Sequence, residues 1–463
     1  MKYWRIAGSA ILLSAFGCSM ASASTLWQFW QAVQDHDPQL RFYRDRLQGA
    51  SQAQPLALAA LLPQVQADAA LQWATNDETE REYSTGPLAR IQAPYRSKSW
   101  QVQISQAVFN WAALQDYRAS GDQVAAAAAQ YQQSFQDLES AAIQAYVHWL
   151  VAAANLHNTR MAQRGFTHSA FTAKALYQSG KTGILGAEET QVALLSNQAG
   201  LAQSSAVLHA ADATLQQFTG IVPSLHVPRL PQRLALPIHS LAYWLRLARI
   251  HSPILAAATA DLHARQKQTS AAWGGFLPQL SLVLLHQWQS ENGPLYYEIG
   301  NQSGSYSNPY RSNSNSVGLQ LTWSIFSGGS QQAQLSQAQY RQEQAFASLQ
   351  AERRSVEQSL RATFASYQSA RHRAQLYRHA LRVADRASKA ADDGVRAGLV
   401  SENNAIIDRQ NALQVRNELN QANADLLDSY ATLSAAAGVL SPTVLHHVSR
   451  LLTTSTPSLP RTE

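Results

Sequence analysis

Cysteine is nearly missing from these 463 residues, with Cys18 the only one. It lies in an N-terminal stretch with the marks of a removable leader, so the mature chain has no disulfide, no thiolate metal site and no cysteine nucleophile. Charge is also scarce at 14%, and Ala, Gln and Ser fill the gap. That bias suits long, closely approaching helices better than a compact enzyme core. Proline is absent from 112 to 178, where the only glycines are Gly121 and Gly165, and both residue types are absent from 331 to 391. No HExxH, phosphate loop or Gly-x-Ser-x-Gly elbow occurs, and the fourteen histidines, among them His251, His263, His286 and His372, show no ligand spacing. No catalytic residue, cofactor or metal is therefore expected.

The leader is residues 1–23. Lys2 and Arg5 precede an apolar run from Ile6 to Gly17, and small residues end at Ala23. The run is shorter than the roughly 20 residues of a membrane span. Cys18 lacks the Leu three places earlier that a lipoprotein signal prefers, so acylation is not expected. After cleavage 34 basic side chains face 30 acidic ones. That mild excess, without regular aromatic interleaving, gives no support to nucleic-acid binding.

The chain is written twice. Leu26, His36, Pro38 and Leu40 recur as Leu241, His251, Pro253 and Leu255, and Pro63 and Trp73 recur as Pro278 and Trp288, all at an offset of 215. The offset drifts to 218 by Gly180 over Gly398 and Gly220 over Gly438. Two copies, 24–220 and 240–440, are joined by a connector at 221–239 carrying Pro223, Pro228, Pro231 and Pro237, and a tail follows at 441–463. From about Thr453 the tail has little apolar content and reads as disordered.

Each copy has a helix, two alternating segments at about 63–75 and 99–110 (278–289 and 315–326 in the second), then two long helical stretches. Val65, Ala67, Ala69, Leu71 and Trp73 alternate with Gln64, Gln66, Asp68, Ala70 and Gln72. The segment 280–288 is blurred by Val283 and Leu285. Two structures satisfy this period. One is a soluble antiparallel sheet with one face on a core. The other is a membrane barrel with Trp73, Trp100, Trp288 and Trp323 at its interfaces. Four strands cannot close alone, so the barrel requires oligomerisation. The intervening segments 76–97 and 290–315, rich in Ser, Asn, Tyr and Gly, read as loops that would be external in the barrel.

A helix of some 60 residues is on the order of 90 Å long, which implies a coiled coil or strut. Phe346, Leu349, Arg353, Val356, Leu360, Thr363, Tyr367, Ala370, Ala374, Tyr377 and Leu381 keep the spacings of three and four of a narrow seam. Gly180 and Gly183, and Gly394 and Gly398, mark where the two hairpins turn.

The Leu62-Pro63-Gln64-Val65 and Leu277-Pro278-Gln279-Leu280 strand openings, Trp323-Ser324-Ile325-Phe326-Ser327-Gly328-Gly329 and Val395-Arg396-Ala397-Gly398-Leu399 resemble, in order and spacing over residues 25–440, the TolC-type outer-membrane efflux protein family. The resemblance implies a mainly α fold with a β-barrel portion. Three chains would each give four strands to a 12-stranded barrel in the Gram-negative outer membrane, with long helical hairpins in the periplasm. It implies partners as well: a homotrimer, a periplasmic adaptor, an inner-membrane pump (ABC or proton-driven) and outer-membrane lipid. Such a duct carries small toxic molecules or a type I secreted protein and performs no chemistry. Family members carry aspartates at the periplasmic entrance of the second hairpin, for which Asp408 is the nearest match, and Glu188, Glu189 and Glu402 are equal candidates for an entrance ring. Acids near a helix N-terminus also suit its dipole without any gating role. A periplasmic coiled-coil scaffold or adaptor would account for the helices and leader, but not for the alternating strands.

Overall fold

The computed structural model describes residues 25–81, 87–220, 226–227, 230–231, 233–307, 309–453 and 459–460. The leader, Cys18 and most of the tail beyond Thr453 lie outside the described residues. In chain order the helices are α1 (Leu26–His36), α2 (Pro38–Ser51), α3 (Ala53–Ala59), α4 (Trp111–Gln178), α5 (Ile184–Thr219), α6 (Leu241–His251), α7 (Pro253–Trp273), α8 (Ser330–Arg396), α9 (Glu402–Ala436) and α10 (Pro442–Thr453). The strands are β1 (Gln64–Arg81), β2 (Leu88–Phe109), β3 (His226–Val227), β4 (Gln279–Asn292), β5 (Pro294–Ile299), β6 (Gln302–Ser307), β7 (Tyr310–Thr322) and β8 (Leu459–Pro460). Two short strands, β3 and β8, pair with each other, so part of the tail read as disordered forms a strand.

The duplication is visible in the elements. Both α1 and α6 are 11 residues long, α4 and α8 are 68 and 67, and α5 and α9 are 36 and 35. Proline cannot supply a backbone N–H, so Pro38 and Pro253 each start a new helix after a break at Asp37 and Ser252. At the first break the Asp37 carboxylate accepts from the backbone N–H groups of Gln39 and Leu40.

Two compact units emerge, and each draws on both copies. The first comprises residues up to Arg41, 134–252 and 357–463. Its core is helix on helix. Phe29 of α1 stacks on Tyr146 of α4, and Trp30 meets Phe135 edge-on. In the other copy Trp244 of α6 meets Tyr430 of α9, which lies against Tyr367 of α8. Leu360, Tyr367, Ala370, Ala374 and Leu381 are buried as the heptad spacing requires. Phe346 and Arg353, in the second unit, are exposed, and Ala345 fills the seam where Phe346 was expected. On α4 the buried face is wider than a seam, taking in Ile143, Val147 and Leu150.

The second unit comprises 42–133 and 253–356. It holds an antiparallel sheet in the order β1-β2-β4-β7, with the β5–β6 hairpin continuing from β4 and pairing with β2 at Ala89–Gln92. The segments expected as loops are largely strand: β1 runs on to Arg81, β2 begins at Leu88, and β5 and β6 lie within 290–315. Polar composition obscured this, because Ser, Asn and Tyr alternate there without an apolar face. The last strand ends at Thr322, so Trp323 to Phe326 lie beyond it. At the junction of β4 and β5 a side chain on Gly293 would meet the Pro94 carbonyl oxygen at 2.1 Å, so only glycine allows this backbone approach.

Candidate channel wall and entrance

Paired residues of antiparallel strands share a face, so the register assigns every strand side chain to one of two surfaces. One surface carries Gln64 with Ser105, Gln66 with Gln103, and Asp68 with Gln101 and, through it, Gln287 and Ser314. The Asp68 carboxylate accepts from Gln66 Nε2 at 3.1 Å and Gln101 Nε2 at 3.2 Å, forming a polar lattice. Val283 and Leu285 fall on this same surface, opposite Ser105 and Gln103, which is why their segment lacked alternation.

The other surface is apolar and open. Val65 is 67% exposed, Val317 73% and Leu319 68%. Its rows read Val65–Ile104–Leu284–Val317, then Ala67–Val102–His286–Asn315, then Ala69–Trp100–Trp288–Asn313. His286 and Asn315 are polar intruders, but they satisfy each other through a 2.6 Å bond, and Trp100 covers the imidazole at 4.8 Å between centroids. Trp100 and Trp288 stand directly opposite one another, and Trp73 lies further along in contact with Arg96. Trp323 is at the helix-bearing end of the sheet, where its indole donates to the Phe276 carbonyl. Among the described residues β1 pairs only with β2, and β7 only with β4, so the sheet has two unpaired edges. No helix of the described residues is long and apolar enough to cross a membrane.

The helical hairpins turn by one device used twice. Gly180 and Gly398 take positive φ of 68° and 73°. Lys181 N–H bonds Leu176 O while Gly180 N–H bonds Tyr177 O, and Leu399 to Gly394 with Gly398 to Val395 repeats the pattern. This double bond satisfies carbonyls that a helix end leaves open. Gly183 precedes α5 as its extended N-cap. Gly394 is still helical, and its missing side chain makes room for Val400, whose Cγ2 would lie 2.5 Å from an added Cβ.

The four acids have different surroundings within the chain. Glu188 and Glu189 are exposed on α5. Asp408 lies at a cleft of about 470 Å³ with Ala387, Ala391, Val400 and Asn404. Glu402 is engaged differently: its Oε2 accepts from the buried Ser169 hydroxyl of α4 at 2.8 Å. Arg409 also reaches that hydroxyl, and binds Asp392 of α8 through Nε at 2.9 Å and Nη2 at 2.6 Å. Asp392, Arg409, Ser169 and Glu402 thus tie three helices together. Sequence reasoning missed Asp392, Arg409 and Ser169, although one signal was available. Asp385 and Asp392 on α8, and Arg416 and Arg409 on α9, are each seven residues apart and at matching distances from the turn, and both pairs form.

A second polar seam joins α4 to α9. Gln136 Nε2 donates to Gly438 O, Asn420 Nδ2 to Asn155 Oδ1, and Asn158 Nδ2 to Asn417 Oδ1, all at 2.9–3.1 Å. His148 meets Asp428 at 3.1 Å. That bond, more than the opposing burial, raises the His148 pKa, and burial raises Asp428 despite the imidazole. Glu139 is wholly buried, neither carboxylate oxygen has a hydrogen-bond partner among the described residues, and burial pushes its pKa up to about 8.

A two-faced sheet together with duplicated helical hairpins defines the class: an outer-membrane channel protein. The sequence pattern of the outer membrane efflux proteins matches residues 30–221 and 244–439, and the chain belongs to that family. The alkaline protease secretion protein AprF of Pseudomonas aeruginosa is 24% identical over 415 residues, covering 88% of this chain and 82% of that protein. Among solved structures, the outer-membrane channel OprN superposes with a TM-score of 0.71 at 19% identity, over 90% of each chain. The outer membrane protein VceC of Vibrio cholerae gives 0.71 at 18%, over 89% of this chain and 96% of that one.

Proposed function

We propose that the chain is the exit duct of a tripartite exporter, working as a homotrimer with a periplasmic adaptor and an inner-membrane pump. The observation that carries this reading is the sheet with one polar face, one exposed apolar face and two unpaired edges. An open edge in hydrocarbon leaves backbone groups unsatisfied, so three such sheets pairing edge to edge would close twelve long strands into a barrel. The apolar rows then face lipid, Trp73, Trp100, Trp288 and Trp323 sit near its interfaces, and the lattice around Asp68 lines water. A periplasmic scaffold would have no use for that apolar face.

The hairpin turns at Gly180 and Gly398 form the periplasmic mouth in this reading, with Glu188, Glu189, Glu402 and Asp408 contributing negative potential that concentrates cations. The duct performs no chemistry and the pump supplies the energy. For cargo, the relative named for protease secretion supports a polypeptide over a small toxic molecule. Native mass spectrometry of the detergent-extracted protein tests the assembly: a trimer is expected, and a monomer from folded protein would contradict it.

A further inference from the structure

Charge on the sheet is sorted by face. In the rows from Gln64 to Trp73 and their partners, the carboxylates, Asp68 and Glu291, lie on the polar surface. The cations, Arg96, Lys98 and Arg311, all lie on the apolar one. Leu71, Lys98, Ser290 and Arg311 form a single row, and Trp73, Arg96 and Asn292 the next. The first of these rows is two residues beyond Trp100 and Trp288, about 7 Å along the strands, towards the end that carries the β-hairpins. Arg96, Lys98 and Arg311 are exposed, and none has a carboxylate partner among the described residues. Arg96 rests over the Trp73 ring at 5.4 Å, which holds its guanidinium against the membrane-facing surface. The nearest carboxylate on this face beyond the cations, Asp77, lies four residues past Trp73.

We infer that Arg96, Lys98 and Arg311 form a phosphate-binding belt for the lipid A headgroup of the outer leaflet. The inference rests on the barrel reading above. Strands in that barrel leave the hydrocarbon where Trp100 and Trp288 stand, because indole rings favour the headgroup level. The next residues outward on the lipid side meet the headgroups, and in the outer leaflet of a Gram-negative outer membrane these are phosphorylated sugars. A guanidinium presents a planar fork to a phosphate and an ammonium a point charge, so this row offers both kinds of contact. Cations needed only for solubility would be expected on both faces of strands that continue past the membrane. Their confinement to the lipid side within these rows favours the headgroup.

The test measures, by native mass spectrometry of the full-length detergent-extracted protein with EDTA present, how much lipid A is retained. Dephosphorylated lipid A and phosphatidylglycerol serve as competitors. Chelation removes the divalent ions that would otherwise bridge phosphates, leaving the side chains to hold the lipid. Wild type is expected to retain bisphosphorylated lipid A at least tenfold better than either competitor. Arg96→Ser, Lys98→Ser and Arg311→Ser together should abolish that preference, Lys98→Gln alone should weaken it severalfold, and Arg96→Lys with Arg311→Lys should preserve most of it. Equal retention of either competitor by wild type overturns the inference, as does an unchanged preference in the triple and Lys98→Gln variants. Channel conductance keeps the two readings apart. A conducting trimer without lipid A preference sinks the belt alone, whereas a folded protein that neither trimerises nor conducts sinks the barrel reading with it.

Discussion

Glu139 and Arg409 show opposite ways of placing charge among helices. Glu139 is wholly buried without a hydrogen bond among the described residues and holds its proton up to about pH 8, well above the ordinary 4.5. The folded protein therefore binds a proton that the unfolded chain has released between those values. The contribution of Glu139 to stability is greatest below pH 4.5, falls as pH rises through the window and levels off above 8. Glu139→Gln is expected to flatten this contribution and to raise the denaturation midpoint at pH 8.5 relative to wild type, measured by urea unfolding across pH. Arg409 is the paired case, shielded and bonded to Asp392 and Ser169. Arg409→Ala strands those partners and is expected to cost about 1–3 kcal/mol. The Arg416–Asp385 pair is nearly half exposed on both sides, so Arg416→Ala should cost no more than about 1 kcal/mol. Thermal melts of the two variants separate these values.

Helices and strands differ in how openly the sequence declares them. The long helices were readable because nothing interrupts them from 331 to 391 and because Leu360, Tyr367, Ala374 and Leu381 keep a buried stripe. The outer halves of β1, β2 and β7 were not, since hairpins there are held by backbone pairing and close approach at Gly293, with polar residues on both faces. The turns were readable as glycines, but their jobs were not equal. Gly180 and Gly398 supply positive φ, whereas Gly394 supplies space. Gly180→Ala and Gly398→Ala are expected to lose about 1 kcal/mol each through left-handed strain. Gly394→Ala displaces Val400 and should loosen the turn, seen as faster amide exchange at Leu399 and Val400 than in the Gly180→Ala protein.

At the scale of the whole molecule the duplicated order of elements carried the family, while the long-range contacts near the turns did not follow from it. Asp408 was the nearest match to the family's entrance aspartates, and Glu188, Glu189 and Glu402 were the acids nearest the turns. The contacts near the turns instead involve Ser169, whose partners Glu402 and Arg409, both on α9, are more than 200 residues away in sequence, a separation that no local pattern signals. Neutralising Glu188, Glu189, Glu402 and Asp408 together to Gln or Asn should reduce cation over anion selectivity of the assembled protein by severalfold, and unchanged selectivity would remove these acids from the mouth. The central claim, that this chain is a duct, is tested most directly by single-channel recording of the purified oligomer in a planar bilayer. Stable, cation-selective conductance steps are predicted for wild type, with more frequent opening in Arg409→Ala. A folded trimer that conducts in neither form would contradict the account.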